Sequence, residues 1–329
     1  MPTGRHHRLR PASPLPPDPP LVTWQDFSGF TNCHEIGGHL TTVISLGDDM
    51  ARAPSLAIPE AATDQGTPAT RPQDPPEAAR FTTVRGVRIR HVTVGRGKPL
   101  LLLHGWGTSL DAFVDLTLDM ARSFRVTAFD FPGHGESGLP PGTWTVDDFT
   151  NLTLDLMAEL GLERAAVLGH SFGGRVAIKL AAAHPDKVDR LVLVDSAGVP
   201  PRRTARRVLR RAASRFANAV GRRFGRPGQA IRGRIVARIA SPDYLNAGPL
   251  RDTFLAVIRE DLRPAMPHIN CPTLLVWGDS DDDTPLADGH TMERLIPGAR
   301  LLVLKNAGHF SYIDQYGRFR LAVIPFLDD

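Results

Sequence analysis

The chain has 329 residues, 42% of them hydrophobic and 22% charged, which is the balance of a globular protein with an apolar core. Its two cysteines, Cys33 and Cys271, are too few and too far apart for a disulfide framework or a zinc site. No apolar run reaches the roughly 18–20 residues that span a bilayer, and prolines follow the basic N-terminus where a signal peptide has its apolar segment. These features predict a cytoplasmic protein.

The positive charge is confined to one part of the chain. The net charge is only +4, yet the segment from Arg202 to Arg238 contains 13 arginines and no acidic residue. Outside this segment, acidic residues outnumber basic ones. We therefore treat residues 198–268, which contain the arginines and show no strand pattern, as a separate helical insertion.

The N-terminal part is rich in proline. Residues 1–79 contain 13 of the 29 prolines. Proline fixes φ and removes a backbone donor, and little in this segment could offset the entropy lost on ordering. We predict that residues 1–79 are disordered.

From residue 80 onward, strand patterns alternate with helix patterns. The first two strands are separated by Gly86 as in a hairpin, and the third is wholly apolar, as expected for a strand buried on both faces. The predicted strands are Thr82–Arg85, Val87–Val94, Leu100–Leu103, Phe124–Asp130, Ala165–Leu168, Leu191–Val194, Thr273–Trp277 and Leu301–Leu304. The predicted helical segments are Leu110–Arg122, Val146–Leu160 (with Thr145 and Asp148 placed as a capping box), Phe172–His184, Leu286–Ile296 and Tyr312–Leu327. This alternation predicts an α/β fold with a mostly parallel central sheet covered by helices on both faces.

A serine lies where a predicted strand meets a predicted helix. The segment Gly169-His170-Ser171-Phe172-Gly173 has the G-x-S-x-G pattern, in which glycines flank the serine because bulkier side chains would collide across a tight turn. The pattern alone is weak and also describes a plain glycine turn. Its position between a strand and a helix favours a nucleophile, which needs a base within hydrogen-bonding reach.

His309 is the predicted base. It follows the last strand, at the edge where open α/β sheets place their sites, whereas His104 and His170 are interpreted as local packing. The acid that orients the base should lie between nucleophile and base in sequence. Two places meet this condition: the four aspartates within residues 279–283, and Asp195 after the preceding strand.

A backbone site for a substrate oxyanion is predicted from two loops. His104-Gly105-Trp106-Gly107 follows the apolar third strand, and Phe172 stands at a helix N-terminus, where N–H groups are unpaired and the dipole favours an anion. We predict that the N–H groups of Trp106 and Phe172 form an oxyanion hole.

Together these motifs resemble the α/β-hydrolase fold family over about residues 80–327. The segments that match are His104–Gly107, Asp130–Ser137, Gly169–Gly174, Trp277–Pro285 and Gly308-His309. In the acid motif of that family, a glycine is followed three residues later by the acid and seven residues later by proline, and this register, from Gly278 to Pro285, selects Asp281. Relatives often carry a Glu-x-Pro step after the base, from which Asp314-Gln315-Tyr316 departs.

The resemblance implies a fold, a division into domains and a mechanism. Residues 80–197 and 269–329 would form the hydrolase core, and residues 198–268 would form a helical cap. Ser171 would attack a carbonyl, His309 would carry the proton and Asp281 would fix the imidazole tautomer, so neither a metal nor an organic cofactor is required. A serine at 171 argues against the branches that use an aspartate nucleophile.

The resemblance leaves the substrate open. Carboxylesterases and hydrolases of ring-cleavage diketones are both similar, although the latter usually have asparagine where this chain has His170.

A hypothesis of another class is a non-catalytic protein that binds anionic surfaces through the basic segment, whose apolar residues lie close to one helical stripe. We favour a solvated arginine face over membrane contact, and sparse aromatic residues argue against nucleic-acid binding. The expected partner is a small acyl substrate, with anionic substrates favoured by the arginines.

Overall fold

The computed structural model describes residues 79–200, 243 and 246–329. The disorder predicted for residues 1–79 therefore lies outside the described residues, except for residue 79. Of the predicted cap, only residues 198–200, 243 and 246–268 are described. The arginine-rich segment from Arg202 to Arg238 lies outside them.

An eight-stranded sheet forms the centre of the described residues. Its strands are β1 Arg80–Val84, β2 Val87–Val94, β3 Lys98–Leu103, β4 Phe124–Phe129, β5 Ala165–His170, β6 Val188–Val194, β7 Thr273–Gly278 and β8 Arg300–Leu304. They lie in the order β1-β2-β4-β3-β5-β6-β7-β8. Strand β2 is antiparallel to both of its neighbours, and strands β3 to β8 pair in parallel. All the predicted strands are confirmed, with shifts at their ends.

The helices alternate with the parallel strands. They are α1 Val114–Met120, α2 Val146–Glu159, α3 Phe172–Ala183, α4 Arg251–Arg259, α5 Leu286–Leu295, α6 Ser311–Asp314 and α7 Tyr316–Asp328. The predicted capping box of α2 is present, since the Thr145 hydroxyl accepts from the Asp148 N–H while the Asp148 carboxylate accepts from the Thr145 N–H. The helical pattern from Leu110 begins as a 3-10 helix, Leu110–Phe113, before α1.

The single helix predicted from Tyr312 to Leu327 is wrong. The chain forms α6 and α7 instead, and Gln315 between them leaves the helical conformation with φ −130° and ψ 46°. The side chain of Asp314 turns back to accept a hydrogen bond from the Gly308 N–H at 2.7 Å. The spacing of apolar residues did not show this break, because the chain leaves the helical conformation at the single residue Gln315 and resumes it at once.

Both faces of the sheet are covered. Leu101 and Leu103 of β3 belong to one apolar cluster with residues of α2 and α3, such as Phe149 and Val176. Successive side chains of a strand point to opposite faces. Leu100 and Leu102, with β3 side chains on the other face, are also fully buried. The sheet is therefore the central layer of an α/β fold, as the sequence predicts.

On the second face, α7 is tied to α1. Tyr316 Oη donates to Asp119 Oδ2 at 2.8 Å, and Arg320 Nε donates to the same oxygen at 2.7 Å. Together these two bonds fix the C-terminal helix, which comes after the loop that carries His309. No helix in the described ranges combines the length and the apolar character needed to cross a bilayer.

The described end of the predicted cap is helical and packs on the core. The Phe254 ring of α4 lies 5.1 Å from that of Trp106, between ring centroids. Arg175 of α3 is buried and donates from Nη1 to the main-chain oxygen of Glu260 at 2.9 Å. Burial lowers the pKa of this guanidinium to about 10, although nearby Glu260 and Asp261 favour its charge. The end of α4 is thus attached to the helix that follows Ser171.

Candidate active site

Ser171 stands on a strained turn between β5 and α3. Its φ is +51° and its ψ is −112°, a conformation that non-glycine residues seldom adopt. The turn is so tight that a Cβ on Gly169 would lie 2.7 Å from the carbonyl oxygen of Gly173. One on Gly173 would lie 2.0 Å from that of Leu103. The two glycines of the G-x-S-x-G pattern are therefore required by close backbone approach, as the sequence predicts.

His309 lies on the loop after β8 and reaches the serine. Its Nε2 is 2.9 Å from Ser171 Oγ, although 138 residues separate the two in sequence. The Asp314 carboxylate holds the loop through the Gly308 N–H. With the imidazole proton on Nδ1, Nε2 is free to accept the hydroxyl proton of Ser171.

Asp281 is the aspartate that faces the other imidazole nitrogen. Its Oδ2 lies 2.9 Å from His309 Nδ1. Its Oδ1 accepts from the N–H groups of Asp283 at 2.8 Å and Thr284 at 2.9 Å. Asp281 is 5% exposed, whereas Asp279, Asp282 and Asp283 are exposed. The structure therefore brings Ser171, His309 and Asp281 into one hydrogen-bonded chain.

Asp195, the rival acid, bonds to the main chain instead. Its Oδ1 accepts from the Gly278 N–H at 2.8 Å, and its Oδ2 accepts from the Ser311 N–H at 3.0 Å. It joins the end of β7 to the helix after His309, and no bond to the imidazole is recorded among the described residues. Burial raises the pKa of this carboxyl to about 7, in spite of these N–H donors.

The ionisation of the base and of its acid partner is coupled. Burial disfavours the charged forms of both groups. Their mutual hydrogen bond and attraction outweigh burial, so the pKa of Asp281 is lowered and that of His309 is raised. Asp283 and Asp195 add to the rise at His309 by charge alone. Asp281 is therefore held as a carboxylate, and its charge favours the imidazolium form of His309.

His170, which the sequence reasoning assigned to packing, also supports the base. Its ring is buried, and Nε2 donates to the main-chain oxygen of His309 at 2.7 Å. Burial, together with the charge of His309, lowers the pKa of His170 to about 3. The neutral imidazole thus fixes the backbone of the base without competing for its proton. The bond spans 139 residues, so nothing local in the sequence indicates it.

The predicted oxyanion donors lie beside the serine. The rings of Trp106 and Phe172 are in edge-to-face contact at 5.4 Å. A Cβ on Gly105 would lie 3.4 Å from Ser171 Cβ, which shows how closely the first loop approaches. Within the described residues, neither main-chain N–H donates to a protein acceptor.

His104 shapes the loop that carries Trp106. Its Nδ1 donates to the Gly105 carbonyl at 2.7 Å, and its Nε2 accepts from the Phe131 N–H at 3.0 Å. Burial lowers the pKa of His104 to about 4, so the ring remains the neutral donor and acceptor that these two bonds need. His104 therefore does more than pack, since its two hydrogen bonds join the loop of Trp106 to Phe131. The described ranges contain no group of three or more side chains suited to a metal ion.

Comparison with known proteins identifies the family. A family model described as alpha/beta hydrolase fold matches residues 98–316, which is most of the described sequence. The chain belongs to the alpha/beta hydrolase family. Membership of this family supports hydrolase activity.

Relatives with named activities cover most of the chain. A 2-hydroxymuconate semialdehyde hydrolase from Pseudomonas sp. (strain CF600) is 30% identical over 78% of this chain and 96% of its own length. A pimeloyl-[acyl-carrier protein] methyl ester esterase from Neisseria meningitidis serogroup C is 29% identical over 70% of this chain and 94% of its own. The crystal structure of an enol-lactonase from Burkholderia xenovorans LB400 superposes with a TM-score of 0.60 and 28% identity, over 76% of this chain and 100% of that one.

Proposed function

We propose that this protein is a serine hydrolase that cleaves a carboxylic ester or a related acyl bond of a small molecule. The observation that carries the proposal is the continuous chain of contacts Ser171 Oγ–His309 Nε2 and His309 Nδ1–Asp281 Oδ2, each 2.9 Å long. Nucleophile, base and orienting acid must meet in this order for acyl transfer. The names of the esterase and lactonase relatives agree with the proposal.

In the first step, Ser171 Oγ attacks the substrate carbonyl while its proton passes to His309 Nε2. The imidazolium is stabilised by the Asp281 carboxylate, which keeps its negative charge. The N–H groups of Trp106 and Phe172 donate to the oxygen that becomes negative. His309 then returns the proton to the leaving group, and an acyl-Ser171 ester forms.

In the second step, water replaces the leaving group. His309 takes a proton from the water as it attacks the acyl carbonyl, and then gives that proton to Ser171 Oγ as the ester bond breaks. The carboxylic acid leaves and the free serine is regenerated. The chain's own residues supply every proton transfer.

The proposal predicts that Ser171→Ala abolishes ester hydrolysis while leaving the protein folded. Losses of triad members reach about 10⁴–10⁶ in kcat, which exceeds any packing effect of one oxygen atom. The measurements are p-nitrophenyl ester hydrolysis and mass spectrometry after treatment with a fluorophosphonate, which should label Ser171 alone. A folded variant that keeps most of its activity, or labelling elsewhere, would overturn the proposal.

A second candidate is hydrolysis of a carbon–carbon bond in a ring-cleavage diketone. The relative named 2-hydroxymuconate semialdehyde hydrolase favours it, while His170 before the serine argues against it. One substrate panel separates the candidates: p-nitrophenyl esters of rising acyl length, a ring-cleavage diketone, an aminoacyl amide and a carboxylate-bearing ester. The highest kcat/KM on esters supports our proposal, and the highest value on the diketone supports the second candidate.

We also propose that the substrate is anionic, because the thirteen arginines between Arg202 and Arg238 lie within the predicted cap. A positive field raises the encounter rate of an anion and is screened over about 10 Å at 0.1 M salt. Added salt should then lower kcat/KM for the carboxylate-bearing ester more than for a neutral ester of similar size. Equal sensitivity to salt would assign the arginines to a solvated face.

A further inference from the structure

The hydroxyl of Thr284 lies at the centre of the contacts between base and acid. Its Oγ1 is 2.7 Å from Asp281 Oδ2, 2.9 Å from the main-chain oxygen of Asp195 and 3.3 Å from His309 Nδ1. The Thr284 carbonyl is held by Trp277 Nε1 at 2.7 Å. The residue is buried, with 8% of its surface exposed. No sequence motif indicates a role for Thr284.

The position of the single hydroxyl proton follows from its neighbours. A carboxylate is a stronger acceptor than a peptide carbonyl, and Asp281 Oδ2 is also the nearer of the two acceptors. The hydroxyl therefore donates to Asp281, while its oxygen lone pair faces the Nδ1–H of His309 at the longer distance of 3.3 Å. Asp281 Oδ2 thus accepts two hydrogen bonds, one from the Thr284 hydroxyl and one from His309 Nδ1.

The two oxygens of Asp281 have different partners. Oδ1 is fixed by two peptide N–H groups, those of Asp283 and Thr284. Oδ2 receives only side-chain donors among the described residues, which are the hydroxyl of Thr284 and Nδ1 of His309. The hydroxyl therefore competes with the imidazole for the negative charge on the oxygen that stabilises the imidazolium.

We propose that Thr284 is a positioning residue, whose hydroxyl holds Asp281 Oδ2 opposite His309 Nδ1 and withdraws part of its negative charge from the imidazole. The proposal rests on the proposed function, in which His309 is the base. Substitution by valine removes the hydroxyl and keeps the shape of the side chain, whereas substitution by serine keeps the hydroxyl. This pair of variants separates the effect of the hydroxyl from the effect of packing.

The titratable groups that act on His309 come from several elements. They are Asp281 and Asp283 after β7, Asp195 after β6, His170 at the end of β5, and Asp243. All of them are unchanged in both variants of Thr284. A difference between the variants in the titration of His309 therefore reports on the hydroxyl.

In Thr284→Val, the negative charge on Asp281 Oδ2 is no longer shared with the hydroxyl and acts more strongly on the imidazole. The pKa of His309 should therefore rise. The acid limb of kcat/KM should move upward by about half a pH unit. Because a hydrogen bond to a charged group is worth about tenfold in a rate or equilibrium, the plateau of kcat should fall by roughly that factor while KM stays within about twofold. Thr284→Ser should restore both values to near those of the native protein.

Direct ¹⁵N NMR titration of His309 in the full chain makes the test independent of any substrate. The His309 signal is assigned by its loss in His309→Asn. Thr291→Val, which removes a hydroxyl bonded to the Ala287 carbonyl within α5, is the matched control and should leave the titration unchanged. If Thr284→Val does not fold, Thr284→Cys replaces it, and a weaker donor should give a smaller shift in the same direction.

An unshifted titration in the folded variants would overturn the proposal, whatever happens to kcat, since a purely structural threonine would lower activity without moving the pKa of His309. A shift in Thr284→Ser equal to that in Thr284→Val would overturn it as well. Failure of the proposed function is seen separately, as absence of fluorophosphonate labelling at Ser171 in the native protein.

Discussion

Asp195 and Asp281 follow adjacent parallel strands, β6 and β7, and are both buried, yet the structure gives them opposite properties. Both carboxylates accept two N–H groups from the main chain. Only Asp281 also faces an imidazole. The pKa of Asp281 is lowered, whereas burial raises that of Asp195 to about 7.

The difference shows that peptide donors alone do not keep a buried carboxylate ionised here. At Asp281, the hydrogen bond and charge of His309 tip the balance, with help from Thr284. At Asp195, burial outweighs its N–H donors, and the charge of Asp281 disfavours ionisation further. One strand end thus holds a carboxylate whose charge is stabilised by the base, while the other holds a carboxyl that titrates near neutral pH and joins two loops.

The largest expected effect of replacing one of these two carboxylates is on catalysis. Asp281→Asn should lower kcat by about 10⁴, because an amide at this position favours the wrong imidazole tautomer. Asp195→Asn should lower kcat by no more than about tenfold per folded molecule, since the Asp195 carboxylate is bonded to Ser311 in the loop of the base and not to the imidazole itself. Steady-state ester hydrolysis by both folded variants measures the contrast.

Circular dichroism of each variant is the control for folding. A loss of about 10⁴ in Asp195→Asn, together with near-native activity in Asp281→Asn, would assign the orienting role to the acid after β6. Equal and moderate losses would mean that the two carboxylates act only through the loops.

The next effect is on stability as a function of pH. The folded protein binds the proton of Asp195 more tightly than the unfolded chain does, because its pKa is raised from 3.8 to about 7. The stability contributed by this group is therefore highest below pH 4 and is lost as the pH rises through 7. One unit of pKa corresponds to about 1.4 kcal/mol, so the loss is on the order of a few kcal/mol.

Denaturant unfolding of the native protein and of Asp195→Asn, at several pH values from 4 to 8, checks this expectation. The difference in unfolding free energy between native and variant should decrease as the pH rises, since the amide does not titrate. A difference that stays constant, or that grows with pH, would show that Asp195 is ionised across the range.

The sequence was informative where a residue's role is set by its immediate neighbours. The strand-to-helix change around Ser171 and its flanking glycines depend on a few consecutive residues, and the position of His309 depends on the strand before it. The choice between Asp195 and Asp281 was different. Residue patterns left both open, because burial and a position after a strand are common to them, and the register of the family motif was needed to favour Asp281.

What the sequence could not show depends on contacts between distant segments. Thr284 Oγ1 contacts the main-chain oxygen of Asp195 across 89 residues, and His170 bonds to the His309 backbone across 139. A threonine and a histidine at these places have many local uses, so their identity alone indicates neither contact. The bond from the Gly308 N–H to Asp314, beside the break at Gln315, is likewise not indicated by either residue alone.

The smallest expected effect concerns Asp279, on the same loop as Asp281. It is exposed, and its Oδ1 accepts from the Asn306 N–H at 3.0 Å. Asp279→Asn keeps an oxygen acceptor for that N–H, so kcat should stay within about twofold of the native value and the unfolding free energy within about 1 kcal/mol. Ester hydrolysis and denaturant unfolding measure the two quantities. If Asp279→Asn lost as much activity as Asp281→Asn, the total charge of the loop would matter rather than which carboxylate faces the imidazole. The contrast between a carboxylate bonded to the base and one merely close to it would then be lost.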